Sequence, residues 1–383
     1  MLRFRHWWLK LHRWFALSLG WVLILCGLSG ALLVVAQPLD RWAHPQLFKA
    51  QTAAALGTVP VDAPLQPILQ RLQAQFPAKA KFTFRPAVSP GDTLEVRVAG
   101  PWKGSLYLDP ATGLEQGRRG ASEGAFNLLF KLHSSLLLQA FGKTALAVVA
   151  LIYTLLLLTG LILWWPKKWP PILKPELRKG LMRALFDLHR MGGAVLGVLI
   201  LVSVCTGAYM AWRPLGGVIN LATGSETFVP PPLPANRAAT APLQSLDVLA
   251  QNARQVWPGA RLAVLPVPTS SQQLLRLRMW VPGEPHPFGV SAIWMDPVTG
   301  KVQAARRWNE LDPGTGAVAV LFPLHAGKLG GVLHELVMVL IGLALGGLGI
   351  SGLWLWWRRR QIRRQAEARQ RQTAATTGQP TPP

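Results

Sequence analysis

The sequence predicts an α-helical membrane protein, with four transmembrane helices in a parallel tandem repeat and two α+β domains carried between them. Three observations predict this. Four apolar runs are each long enough to cross a bilayer, basic residues crowd into three short segments, and the same short motifs recur twice in the same order. The 383-residue chain is 50% hydrophobic and only 15% charged, where soluble domains carry about 25% charged residues. Lys and Arg number 40 against 17 Asp and Glu, for a net charge of +23. Such a charge points to nucleic acid or to an anionic membrane surface; the apolar runs exclude a plain nucleic-acid-binding domain. The two cysteines, Cys26 and Cys205, both lie in apolar runs, so neither a disulfide framework nor a Cys-rich metal site is expected.

A spanning helix needs about 20 mostly apolar residues. The predicted spans are residues 14–36, 136–166, 189–212 and 325–357, with apolar cores at Trp14–Ala36, Ala145–Trp165, Gly192–Trp212 and Leu336–Trp357. The first exceeds a signal-peptide core of roughly 7–15 residues and is expected to be retained. Orientation follows Lys and Arg in the short flanking segments. Residues 1–13 hold Arg3, Arg5, Lys10 and Arg13. The loop 167–188 and the start of the third span hold Lys167, Lys168, Lys174, Arg178, Lys179, Arg183 and Arg190. The tail, 358–383, holds Arg358, Arg359, Arg360, Arg363, Arg364, Arg369 and Arg371. Both termini and the middle loop are therefore expected in the cytoplasm, with the domains 37–135 and 213–324 on the far side. Gln372–Pro383 reads as disordered. Trp7, Trp8, Trp14, Trp164, Trp165, Trp169, Trp212, Trp354, Trp356 and Trp357 cluster at span ends, as interfacial aromatics do.

Self-comparison reveals the repeat. Leu11-His12-Arg13 matches Leu188-His189-Arg190, and Ser29-Gly30 matches Thr206-Gly207, so spans one and three correspond. Leu129–His133 matches Leu321–His325, Thr159-Gly160-Leu161 matches Ser351-Gly352-Leu353, and Trp164-Trp165 matches Trp356-Trp357, so spans two and four correspond. Between the spans, Pro67–Phe76 and Ser245–Val256 read as amphipathic helices that end at Phe76-Pro77 and Trp257-Pro258. Phe82–Phe84, Leu94–Val98 and Ser105–Leu108 alternate as half-buried strands, as do their later counterparts. Asp109–Gly113 and Asp296–Gly300, both Asp-Pro-x-Thr-Gly, read as hairpin turns. Phe228–Pro234 is a stiff, proline-rich linker.

Of eight histidines, His6, His44 and His286 stand without obvious company. His12 and His189 are repeat-equivalent at the cytoplasmic ends of spans one and three. His133 and His325 are repeat-equivalent on the far side, ahead of spans two and four. An axis along the membrane normal places equivalent residues at equal depth and faces each pair together. Two such imidazoles are the ligand set of a six-coordinate haem. Without Cys-x-x-Cys-His the haem is b-type and non-covalent. Gly192, Gly193, Gly327, Gly330 and Gly331 would let a flat macrocycle approach the backbone, although small residues also let membrane helices pack. A zinc or copper site is the nearest rival, but wants more ligands gathered together. His334 is extra, its counterpart being Gly142; it stands as a substitute outer ligand or a proton-handling residue. On one continuous helix, His325 lies 33 residues, roughly 50 Å, before Arg358, which sets an outer haem far from an inner one.

Leu-His-Arg opening the odd spans, Leu-His ahead of the even ones, Thr/Ser-Gly-Leu before Trp-Trp and Asp-Pro-x-Thr-Gly between them resemble the PepSY-associated transmembrane proteins, over about residues 8–360. The resemblance implies PepSY-like periplasmic domains in a bacterial inner membrane. It further implies two b haems on His12, His189, His133 and His325, and reduction of a ferric siderophore of the ferrioxamine type to release Fe(II). Hydroxamate and catecholate oxygens are hard donors that hold Fe(III) strongly and Fe(II) less tightly. No Gly-x-Gly-x-x-Gly follows a strand, so the electron donor is expected to be a quinol or a cytoplasmic partner. Arg85, Arg97, Arg118, Arg119, Arg276, Arg278, Arg306 and Arg307 are candidate charges of a basic cleft. The alternatives are a non-enzymatic membrane protein whose outer domains bind a periplasmic protein or peptide, and a transporter for iron or siderophore.

Overall fold

The computed structural model describes residues 2–52, 63–166, 174–226, 228–234 and 237–377. Lys167, Lys168, Trp169 and the end of the tail from 378 lie outside the described residues. The chain forms two compact units. A helical unit holds residues up to Leu32, Leu132–Ala211 and Val337 onward; a sheet unit holds Leu33–Lys131 and Trp212–Leu336.

In chain order the elements begin with α1 (Leu2–Ala43), α2 (Pro45–Phe48) and α3 (Leu65–Gln75). Four strands follow, β1 (Lys81–Arg85), β2 (Leu94–Ala99), β3 (Gly104–Leu108) and β4 (Glu115–Gly120), then α4 (Ala125–Ser135) and α5 (Gln139–Trp164). The second half runs through α6 (Leu181–Ala211), α7 (Leu215–Thr223), α8 (Leu246–Val256), β5 (Arg261–Pro266), β6 (Leu275–Trp280), β7 (Ser291–Met295) and β8 (Val302–Arg306). It closes with α9 (Pro313–His325) and α10 (Gly331–Thr377). Among the described residues, four helices are long and apolar enough to cross a membrane: α1, α5, α6 and α10.

Helices α1, α6 and α10 extend past the predicted spans at their polar ends, because a helix does not stop where its side chains leave lipid, whereas α5 lies within its predicted span. Arginine, glutamine and alanine are good helix formers, so α10 continues through the basic tail to Thr377, where disorder was expected from Gln372. Two predicted spans, 136–166 and 325–357, are not single helices, because each contains a break near its start. Between α4 and α5, Leu136, Leu137 and Gln139 all take positive φ. Between α9 and α10, Gly327 (φ 73°) and Gly331 (φ 57°) do so. The first break is invisible to hydropathy, since leucines rarely adopt the left-handed region.

Glycines set the closest crossing in the helical unit. A Cβ on Gly27 would lie 2.7 Å from the Gly342 carbonyl oxygen, and one on Gly342 would lie 2.6 Å from that of Gly27. Gly346 receives Leu28, and Gly349 receives Ile24. Helix α1 thus meets α10 through small residues, which bring backbones together where lipid supplies no hydrophobic drive. Val22, Leu23, Tyr153, Leu156, Ile200 and Ile341 fill the middle of the unit.

In the sheet unit all eight strands join one antiparallel sheet, ordered β4-β3-β2-β1-β5-β6-β7-β8. Thr83 and Phe84 of β1 pair with Pro266 and Leu265 of β5, joining the two four-stranded meanders. Alternation decides the faces. Phe84, Val96, Leu106, Leu265, Leu277 and Ile293 are completely buried in a core that includes α3 and α8, each such side chain contributing roughly 1.5–3 kcal/mol. The two helices cap each other: Asp247 accepts from the Leu65 and Gln66 N–H groups, and the Gln66 side chain accepts from Leu246 N–H. Helix α3 has only Pro64 at its own cap, so Asp247 satisfies donors that would otherwise be orphaned. In the two Asp-Pro-x-Thr-Gly turns, Asp109 and Asp296 accept from the backbone two and three residues on. Gly113 and Gly300 supply the positive φ.

Candidate haem-ligand site

His12 on α1 and His189 on α6 come together in the helical unit, with ring centroids 6.4 Å apart and ring planes crossed at 87°. Each is held through Nδ1. His12 Nδ1 lies 3.0 Å from Thr159 Oγ1 of α5, and His189 Nδ1 lies 3.0 Å from Ser351 Oγ of α10. Each hydroxyl spends its only proton inside its own helix, Thr159 on the Leu156 carbonyl and Ser351 on that of Leu348. A hydroxyl whose proton is used can only accept, so both Nδ1 atoms carry the imidazole proton. The Nε2 atoms are left with their lone pairs, the form in which histidine binds a metal.

The glycine after each hydroxyl residue completes the seat. A Cβ on Gly160 would stand 3.3 Å from His12 Cε1, and one on Gly352 would stand 3.1 Å from His189 Cε1. The separation also suits one metal atom. With a metal–imidazole bond of about 2 Å and a ring nitrogen about 1.2 Å from its ring's centre, two imidazoles on opposite sides of one metal would put their centroids about 6.4 Å apart. Ala16 and Gly20 follow His12 at four and eight residues, and Gly193 and Gly197 follow His189 likewise, which keeps them on the same helix faces. Among the described residues, no atom beyond its own stretch of helix lies within 4 Å of a Cβ built on Gly20 or Gly197, although Gly20 is buried. The residues present therefore fit a flat macrocycle bound through both histidines. Among the described residues no three His, Cys, Asp or Glu side chains converge, as a structural zinc site needs.

His133 also belongs to the helical unit. Its Nδ1 lies 3.1 Å from the Cys26 carbonyl oxygen and 3.2 Å from Ser29 Oγ. A carbonyl only accepts, so Nδ1 carries the proton here too. A Cβ on Gly30 would lie 2.9 Å from His133 Cε1, and so the third histidine repeats the seat of the first two. Cys26 and Ser29 lie 14 and 17 residues along α1 from His12, or roughly 21–26 Å. His133 thus stands within the first span's depth, and the break after Ser135 separates its helix, α4, from α5.

His325 ends α9 in the sheet unit. His334, on α10, differs from the other three. The Leu329 N–H donates to His334 Nδ1, which places its proton on Nε2. His6 is exposed, and His44 pairs with Asp40 at 3.0 Å. His286 is not the isolated residue its sequence context suggests. It is 8% exposed, packed against Phe288 and Phe322, and accepts at Nδ1 from the Phe288 N–H. Burial, then the neighbouring Arg278 and Arg85 cations, push its pKa down to about 4.

The Ser/Thr-Gly pairs were legible only as landmarks of the repeat; their role as histidine seats was missed. The signal was available, since each pair lies at the same end of the bundle as a histidine of the neighbouring span. Replacing Thr159 with Val and Ser351 with Ala keeps shape and removes the acceptors. Haem affinity, measured by titration of the stripped protein, is expected to fall about 10–100-fold; unchanged affinity would show that the hydroxyls do not orient the ligands.

No curated protein matches the chain. The order of its motifs and its four apolar helices agree with a match to one family model over residues 9–359, and the chain belongs to that family, the PepSY-associated TM region.

Proposed function

We propose that the chain is an inner-membrane haem b reductase that passes electrons to a ferric siderophore in the periplasm and releases Fe(II) for uptake. The observation that carries the reading is the crossed His12–His189 pair, whose Nδ1 protons are committed to Thr159 and Ser351. In this reading the chain is a parallel tandem repeat with two PepSY-like periplasmic domains and cytoplasmic termini. A haem b supplies one-electron carriage within the bilayer. His12 and His189 hold it, and Gly160 and Gly352 give their rings room. Val22, Leu23, Tyr153 and Leu156 keep water from the middle of the bundle.

A second haem, on His133 with His325, is proposed from the repeat alone. His334 is the weaker candidate, since its proton sits on the nitrogen that a ligand must leave bare. One electron from a quinol or a cytoplasmic donor converts the hard Fe(III) of the chelate to Fe(II), which oxygen donors hold less tightly.

The test is anaerobic. Purified protein reduced with a quinol is mixed with a ferric siderophore and an Fe(II)-specific indicator. The reading predicts that the reduced haem spectrum is lost as Fe(II) appears, one per electron. A reduced spectrum that persists in excess chelate contradicts it.

A further inference from the structure

We propose that the face of the sheet opposite α3 and α8 binds an anionic chelate, of carboxylate or catecholate oxygens, between β2 and β6. The ligand's identity as an iron complex rests on the reductase reading; the anion site rests on the sheet unit alone.

Strand alternation puts the core residues on one face and Arg85, Arg97, Arg276 and Arg278 on the other. Arg85 sits opposite Glu95 in register, and Arg278 sits two strands away from Arg85, opposite Val264. Glu95 serves Arg85, Arg97 and Ser105 together. Among the described residues no carboxylate pairs with Arg276 or Arg278. Arg276 lies over the Trp294 ring at 5.5 Å, and the Arg278 guanidinium donates to the Gly289 carbonyl. Glu284, whose oxygens accept from Val281, Val290 and Ser291, offsets part of the Arg278 charge from a distance but forms no ion pair with it. Burial and the neighbouring arginines push Arg278 down to about 10. Arg118, Arg119 and Arg306 are different, each having a carboxylate within 4.0 Å.

Arg85 and Arg278 are half-buried like charges, while Arg97 and Arg276 are exposed beside them; half-buried like charges are costly, and an anion relieves that cost. The walls are aromatic. Arg85 lies over Phe288 at 4.7 Å, and His286 and Phe322 pack beside that ring. Arg97 is 55% exposed and Arg85 17%, so the charge leads from solvent inward. Guanidinia match oxyanions bidentately and stack on flat rings. A neutral or cationic hydroxamate complex meets neither feature.

The experiment uses the whole protein in detergent with gallium(III) in place of iron, so that binding is read without electron transfer. Tryptophan fluorescence is titrated with the gallium complexes of a tricatecholate and of a trihydroxamate. The expected result is tighter binding of the catecholate by about tenfold or more. That binding is expected to weaken with salt and to fall about tenfold in Arg276→Gln and in Arg278→Gln. Arg97→Gln, at an exposed position, removes one charge of the site and keeps a hydrogen-bond donor for Glu95, and the same weakening is expected of it. Equal or tighter binding of the hydroxamate overturns the proposal, as does full affinity in the arginine variants or displacement by equimolar inorganic phosphate. Failure here leaves a haem-based reductase intact, whereas a haem-free protein leaves this site intact.

Discussion

His189→Ala is expected to lose one haem equivalent and leave the other, and His12→Ala is expected to do the same. The two rings are 6.4 Å apart and lie on different helices, so neither substitution removes the other imidazole. A six-coordinate site that loses one axial ligand loses the low-spin spectrum of that site, and non-covalent haem is then held by one bond where there were two. The double variant is expected to be no worse than either single one, because both residues serve the same iron. His334→Ala is the contrast. Its Nδ1 accepts from Leu329 N–H, so both equivalents are expected to remain. Pyridine haemochrome content per chain checks all four proteins. Two retained equivalents in His189→Ala would remove that residue from the ligand set.

Gly142→Ala is expected to have the largest effect on folding of any single methyl added to the helical unit. The new Cβ would collide with the Ser135 carbonyl oxygen, and no side-chain rotation relieves a clash with backbone. The connection between them already holds Leu136, Leu137 and Gln139 in left-handed conformations, so it has little room to give. A cost of at least about 3 kcal/mol is expected. Its consequence is local: α4 must move relative to α5, and His133, two residues before Ser135, leaves its seat on Cys26 and Ser29. The His12–His189 pair, at the other end of α1, is expected to survive. A thermal melt followed at the haem band, with haem content, tests this. Wild-type stability and two haems in the variant would show that the turn does not hold His133 in place.

Much of this arrangement was legible in the sequence. Apolar length marked the four long helices, and period-two alternation marked Phe82–Phe84 and Leu94–Val98, because each signal is local. The seats of the histidines are not local: His12 meets Thr159, and His189 meets Ser351, across separations of 147 and 162 residues. A duplicated motif shows that such residues matter without showing that they touch. The break after Ser135 escaped notice because three consecutive leucines read as continuing helix. The join of β1 to β5 was hidden because strand pattern fixes a face, not a neighbour. His286 looked solitary because its company, Arg85, Arg278 and Phe322, comes from three other elements.

In the proposed reductase, two imidazoles from α1 and α6 share one iron, with their planes crossed. Electron paramagnetic resonance of the oxidised, purified protein tests it most directly. A low-spin Fe(III) signal of high anisotropy is expected, as crossed imidazoles would give, together with its loss in His12→Ala and in His189→Ala. A protein that carries no haem after expression with ample haem supply, or a low-spin signal unchanged in both variants, would contradict it.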